Sequence, residues 1–98
     1  MGPHAAEVYG ASKAGLWGLT RCLASYWGKQ GVRVNAVSVG AVASGQGEDF
    51  ERNYCARVPL GRMAQAADGA SGMRYLASDA SRYVSGHKMV VDGGRMAR

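Results

Sequence analysis

Two cysteines, two prolines and a single phenylalanine are all that the 98-residue chain holds of those types. With only Cys22 and Cys55 present, no disulfide framework can be written, and His4 and His87 stand too far apart in sequence to form a local ligand-spacing pattern, so no metal site is expected. Adjacent basic residues are absent too. Twelve Lys and Arg against seven Asp and Glu give a net charge of +5, but they are scattered singly from Lys13 to Arg98, without the linear stripe that tracks nucleic-acid phosphates. No apolar run approaches the roughly 20 residues of a membrane span, and no secretory core precedes the cysteines. These absences favour a reducing, cytoplasmic setting with neither nucleic acid nor membrane as partner.

What the chain has is glycine, fifteen residues without a three-residue period, in a composition that is 47% hydrophobic and 19% charged. That is an ordered globular composition rich in tight turns and close backbone approaches. Residues 1 to 5 read as a short start with Pro3 and His4 in a turn or loop. From about Ala6 to Lys29 the pattern is helical, with Leu16, Leu19, Leu23 and Trp27 on one apolar stripe and Tyr9, Lys13 and Trp17 on another face. Cys22 falls inside this pattern as a small buried hydrophobe, and Gly31 is the expected stop. Trp17 and Trp27 read as packing or subunit-contact residues.

Val32 to Val39 (VRVNAVSV) is a β-branched run with little alternation, suited to a parallel sheet covered on both faces. Residues 41–63 have no clean period and form a long excursion, with a short helix through Glu48 to Ala56 and a turn at Pro59-Leu60-Gly61-Arg62. An excursion of this length suggests a lid, in which Phe50, Tyr54 and Val58 would line an apolar pocket. Ala64 to Ser78 resumes a helical pattern, although Gly69 and Gly72 each cost about 1 kcal/mol relative to alanine. A turn-rich connection leads to a second strand, His87 to Asp92, closed by Gly93-Gly94, and the last four residues read as a polar tail. Strand, helical crossover and strand make a right-handed parallel βαβ unit. Two strands alone leave the first with an open apolar edge, a pairing site for further chain.

The stretch Tyr9-Gly10-Ala11-Ser12-Lys13-Ala14-Gly15 carries the chemistry. A secondary alcohol releases hydride only as its hydroxyl proton leaves to a base, and a carbonyl being reduced needs a proton donor. Tyrosine is a weak base at neutral pH, and a nearby ammonium favours its phenolate form. A spacing of four puts both groups on one helical face, and the small residues between and after them leave room for a bulky ligand.

In these residues the chain resembles the short-chain dehydrogenase/reductase family. Tyr9 to Gly15 is similar to that family's active-site segment, Val32 to Val37 with Ser38-Val39-Gly40 to its sixth strand and cofactor loop, and Pro59-Leu60-Gly61-Arg62 to the exit of its substrate loop. Tyr75-Leu76-Ala77-Ser78-Asp79 resembles its last long helix, and Ser85-Gly86-His87 running into Val90-Val91-Asp92-Gly93-Gly94 its final strand. The resemblance implies an α/β fold, part of an NAD(P)-binding doubly wound Rossmann-type domain, with 1–98 as a single partial domain, 6–30 as the active-site helix and 41–63 as the substrate loop. It implies an oxidoreductase that transfers hydride between NAD or NADP and a small-molecule alcohol or carbonyl. Tyr9 would be the general acid/base, and Lys13 would lower the tyrosine pKa and hold the nicotinamide ribose. Backbone groups of Gly40, Ala41 and Val42, with the Ser44 hydroxyl, would contact the carboxamide and pyrophosphate side.

Departures from the family pattern accompany the match. Val39 stands where proline is usual before the loop glycine, which should loosen the loop while leaving its amides available. Ser44 stands where threonine is commoner, and Gly69 and Gly72 replace helix-favouring residues. The family's glycine-rich phosphate-binding turn is not in the sequence; Gly45-Gln46-Gly47 lacks the third glycine and follows no strand directly. The resemblance therefore implies the C-terminal half of such an enzyme, homo-oligomeric or paired with a missing N-terminal half. As an isolated chain it is expected to bind cofactor weakly and turn over little. A noncatalytic structural or interaction module derived from the same fold is the rival reading.

Overall fold

The computed structural model describes residues 3–97, with side chains from Glu7 onward. The elements follow in the order α1 (Pro3–Trp27), β1 (Ala36–Val39), α2 (Glu48–Cys55), α3 (Ala66–Ala77) and β2 (Lys88–Val91), with short 3-10 turns at Gly28–Gln30, Asp79–Ser81 and Arg95–Ala97. The chain is α/β, with a two-stranded sheet of order β1-β2. The strands are parallel: Ala36 donates its amide to the His87 carbonyl at 2.9 Å, and Gly40 to that of Val91 at 2.8 Å, so both advance together.

The chain divides into two compact units, the first from α1 to Ala36 with Arg82–Lys88 and the second from Val37 to Ser81 with the residues from Met89 onward. In the first, the expected loop at Pro3 and His4 is instead the first turn of α1. Proline at the first helical position has no amide to waste and its ring presets a helical φ. The helix tightens into a 3-10 turn and stops at Gly31, whose φ of 79° is the left-handed conformation that glycine adopts without cost.

The expected stripe of α1 is largely open. Leu16 and Leu19 are 57% and 53% exposed, and Trp27 is also exposed. Cys22, expected to be buried, is exposed on the same helix. Trp17 is half-buried, with the Arg21 guanidinium 6.0 Å and the Lys88 ammonium 5.8 Å from its ring.

Residues 32–35 are not strand, so β1 is half as long as the sequence suggests. Side chains replace the ladder here. Asn35 donates through Nδ2 to the Val84 carbonyl at 3.0 Å and accepts the His87 amide at 3.0 Å, while Arg33 also donates to Val84 and the Ser85 hydroxyl accepts the Val34 amide.

In the second unit, the glycines of α3 let the helix lie close to the strands. A Cβ on Gly69 would stand 3.1 Å from Val39 Cγ2; one on Gly72 would stand 3.1 Å from Met89 Sδ and 3.4 Å from Val91 Cγ2. The sequence marks these two glycines only as a weakness of the helix. Their function in the fold is close approach, which a side chain would crowd against a stiff valine at Gly69 and against a flexible methionine at Gly72. Val58 and Met63 are the buried hydrophobic side chains among the described residues. The polar tail expected after Gly94 is a 3-10 turn fastened by Asp92, whose two carboxylate oxygens accept the Gly94 and Met96 amides, each at 2.9 Å.

Candidate active site

Tyr9 and Lys13 lie one turn apart near the start of α1, as their spacing requires. Both are exposed, and the Lys13 ammonium sits 5.3 Å from the Tyr9 ring centroid, in cation–π range. The Ser12 hydroxyl is turned back to the Tyr9 carbonyl at 2.8 Å. A Cβ added at Gly10 or Gly15 would meet nothing within 4 Å, so the helix surface beside the pair is open, and a flat ring could approach it.

In the second unit, Gly40, Ala41, Val42 and Ser44 follow β1 as one continuous loop. The amides expected to be available there are largely used by the protein itself. Gly40 donates to the Val91 carbonyl, Ala41 to the Tyr54 hydroxyl at 2.9 Å, and Ala43 to the Ala64 carbonyl at 2.9 Å. The Ser44 amide donates to Gln46 Oε1 at 2.8 Å, and the Gln46 amide group returns to the Val42 carbonyl at 2.7 Å. Val42 pairs in a parallel bridge with Ala64, formed by the neighbouring groups, which leaves the Val42 amide outside this network. The Ser44 side chain is exposed. Gly45 and Gly47, with φ of 80° and 103°, are turn glycines on either side of Gln46.

The same unit holds a cavity of about 250 Å³, lined among others by Gly40, Tyr54, Leu60, Arg62 and Asp92. Of the three residues expected to line an apolar pocket, only Tyr54 lines it. Phe50 stacks on Tyr54 from outside, with centroids 6.1 Å apart, and is 48% exposed. Val58 is 4% exposed and packs against Gly93, where a Cβ would come within 2.7 Å of it. The expected lining is corrected accordingly: α2 is amphipathic, and its tyrosine faces the loop while Val58 closes the core.

One ion pair orders the entrance to α3. Arg62 meets Asp68 at 2.9 Å, which holds the Asp68 carboxyl below its ordinary range, first through this hydrogen bond and then through the Gln65 amide. The same contact raises the Arg62 guanidinium. The turn at Pro59–Arg62 was legible in the sequence; the aspartate that anchors it was not, since an i,i+6 pair has no local signature.

Residues 1–95 match the family described as Enoyl-(Acyl carrier protein) reductase. The short-chain type dehydrogenase/reductase y4vI of Sinorhizobium fredii strain NGR234 is 39% identical over 99% of this chain. The chain belongs to the short-chain dehydrogenase/reductase family. The 2-dehydro-3-deoxy-D-gluconate 5-dehydrogenase of Bacillus subtilis is 40% identical over 93% of it. The chain spans only 19% and 38% of the lengths of these two relatives. A crystal structure of a short-chain dehydrogenase from Leptospira borgpetersenii, with bound NAD+, superposes with a TM-score of 0.88 at 42% identity, over 91% of this chain and 35% of that one. The partial Rossmann-type fold is that of this short-chain dehydrogenase/reductase.

Proposed function

We propose that the chain carries the proton-transfer apparatus of a nicotinamide-dependent oxidoreductase acting on a small alcohol or carbonyl compound. The observation that carries this reading is the exposed Tyr9–Lys13 pair on one face of α1, beside helix surface left open by Gly10 and Gly15. The family membership supports it, as do relatives named as dehydrogenases and one solved with NAD+.

In the oxidative direction, Tyr9 Oη takes the proton of the substrate hydroxyl while the carbon-bound hydrogen leaves as hydride; in reduction, Tyr9 returns that proton to the carbonyl oxygen. The Lys13 ammonium, 5.3 Å from the Tyr9 ring centroid, offers donors to a ribose hydroxyl. A bound nicotinamide would supply the hydride acceptor or donor. In the loop after β1, the Val42 amide and Ser44 hydroxyl are the donors left over, and they suit a carboxamide; the Gly40 and Ala41 amides serve the protein itself.

A chimera tests this reading, with the chain replacing the matching stretch of the Bacillus subtilis relative and nicotinamide absorbance reporting turnover on alcohol and keto substrates. Tyr9→Phe should lower kcat by about 10²- to 10⁴-fold, the range of a general acid/base, with little change in cofactor binding. Undiminished turnover in that variant would remove Tyr9 from the chemistry and leave the noncatalytic module as the better account.

A further inference from the structure

We propose that Tyr54 is a positioning residue for the loop Gly40–Ser44, doing from α2 what a stiffer residue at position 39 would otherwise do from within the backbone. The proposal rests on the reading of that loop as a cofactor contact. Its structural half stands on hydrogen bonding within the second unit alone.

The Ala41 amide donates to the Tyr54 hydroxyl at 2.9 Å, across thirteen residues of sequence. Tyr54 is half-buried and is itself held from two sides: Phe50 stacks on it 6.1 Å away, and the Arg95 guanidinium lies 5.2 Å from its ring. Arg95 belongs to the turn that Asp92 fastens through the Gly94 and Met96 amides. A chain of fixed groups thus runs from Asp92 through Arg95 to the phenol, and from the phenol to the loop. The fit at the loop end leaves no slack. A Cβ on Gly40 would stand 3.0 Å from the Tyr54 hydroxyl oxygen and 3.2 Å from Asp92 Cα, so Gly40 is there to admit both neighbours.

At the entry to this loop Val39, the last residue of β1, lacks the ring with which a proline would lock φ. The Gly40 amide is held by the Val91 carbonyl, the Ala41 carbonyl by the Ala64 amide and the Ala43 amide by the Ala64 carbonyl, and the amide of the Gly40–Ala41 peptide between these anchors is held by Tyr54. The Tyr54 hydroxyl thus holds the Gly40–Ala41 peptide plane, next to the plane that carries the Val42 amide, the donor left for a ligand; that second plane is anchored by the Ala64 amide, which donates to the Ala41 carbonyl at 3.0 Å. Because the tyrosine sits on α2, in the excursion at 41–63, displacement of that helix would release the loop in the same motion.

Residue-resolved amide exchange on the chain itself tests the structural half without reference to activity. Tyr54→Phe keeps the ring and removes only the acceptor. The Ala41 amide should then exchange at least about tenfold faster, while the Gly40 and Ala43 amides keep their rates. Unchanged exchange at Ala41, or an equal rise at all three, would overturn the proposal. Arg95→Ala keeps the acceptor but frees the ring, and should give a smaller rise confined to Ala41; no rise at all would count against the chain of contacts. In the chimera described above, Tyr54→Phe should raise KM for the nicotinamide cofactor about tenfold with kcat nearly unchanged. A selective exchange effect with unaltered KM would retain the hydrogen bond and reject its role in cofactor binding, whereas loss of turnover in the unsubstituted chimera would count against the oxidoreductase reading instead.

Discussion

Asp68 Oδ2 accepts two donors at once, the Arg62 guanidinium at 2.9 Å and the Gln65 amide at 2.7 Å. One carboxylate therefore caps α3 and ties it to the turn that ends the excursion. Replacing Asp68 with asparagine keeps an oxygen for the Gln65 amide and removes the charge facing Arg62. The native carboxyl titrates below its unfolded value, so its contribution is complete above the ordinary carboxylate range, near pH 4, and fades as pH falls through the native value. Thermal melts should show Asp68→Asn a few degrees below the unsubstituted chain at pH 7, with the gap narrowing as pH falls below the ordinary carboxylate range. Because Arg62 is more than half exposed, salt should narrow the gap as well. A gap independent of pH would mean that geometry, not charge, holds this corner.

The two glycines of α3 should respond differently to alanine although they lie one turn apart. Helix propensity alone predicts a gain of about 1 kcal/mol at each. At Gly69 the new methyl would press on Val39 Cγ2, part of a β-branched side chain that has little freedom to turn away. Gly69→Ala should therefore lose stability, by about 1 to 2 kcal/mol in urea unfolding. At Gly72 the first obstacle is the sulfur of Met89, a flexible end that can shift, so Gly72→Ala should fall within about 0.5 kcal/mol of neutral. A gain at Gly69 would show that the helix does not need its close approach to the strand.

Periodicity made α1 legible, together with the pairing of Tyr9 and Lys13, because that pairing depends only on a local repeat. The short helix expected through Glu48 to Ala56, found at Glu48–Cys55, the stop at Gly31 and the turn at Pro59 were legible without periodicity, the last two from glycine and proline. What the sequence concealed was long-range. Asn35 sits in a β-branched run where asparagine is unfavourable, a signal that its side chain had work elsewhere, but nothing local names Val84 and His87 as its partners. Gly69 and Gly72 look like flaws until the strand beneath them is seen. Tyr54 lines the cavity, as an aromatic in a lid suggests, but nothing local shows that its hydroxyl also holds the chain's own backbone at Ala41.

Asn35 replaces a stretch of sheet ladder with one side chain, giving a hydrogen bond to the Val84 carbonyl and receiving one from the His87 amide. Asn35→Leu would preserve apolar volume and strand propensity while stranding both backbone partners. It should cost about 1 to 3 kcal/mol in urea unfolding. Asn35→Asp would keep the acceptor for His87 and lose the donor for Val84, and should fall between the two. A leucine variant as stable as the original would mean that the two backbone groups find water without penalty.

Gly93 provides the sharpest steric test because two constraints meet there. Its φ is 67°, a conformation side chains rarely adopt, and a Cβ would lie 2.7 Å from Cγ1 of the buried Val58. Gly45 has a similar φ of 80° but open space around it. Gly45→Ala should thus report backbone strain alone, about 1 kcal/mol, and Gly93→Ala strain plus overpacking, about 3 kcal/mol or more. Trimming Val58 to alanine in the Gly93→Ala background should recover part of the difference, since the methyl would then enter the space left by the valine. Equal losses at the two glycines, or no recovery in the double variant, would show that Val58 does not press on the turn that ends β2.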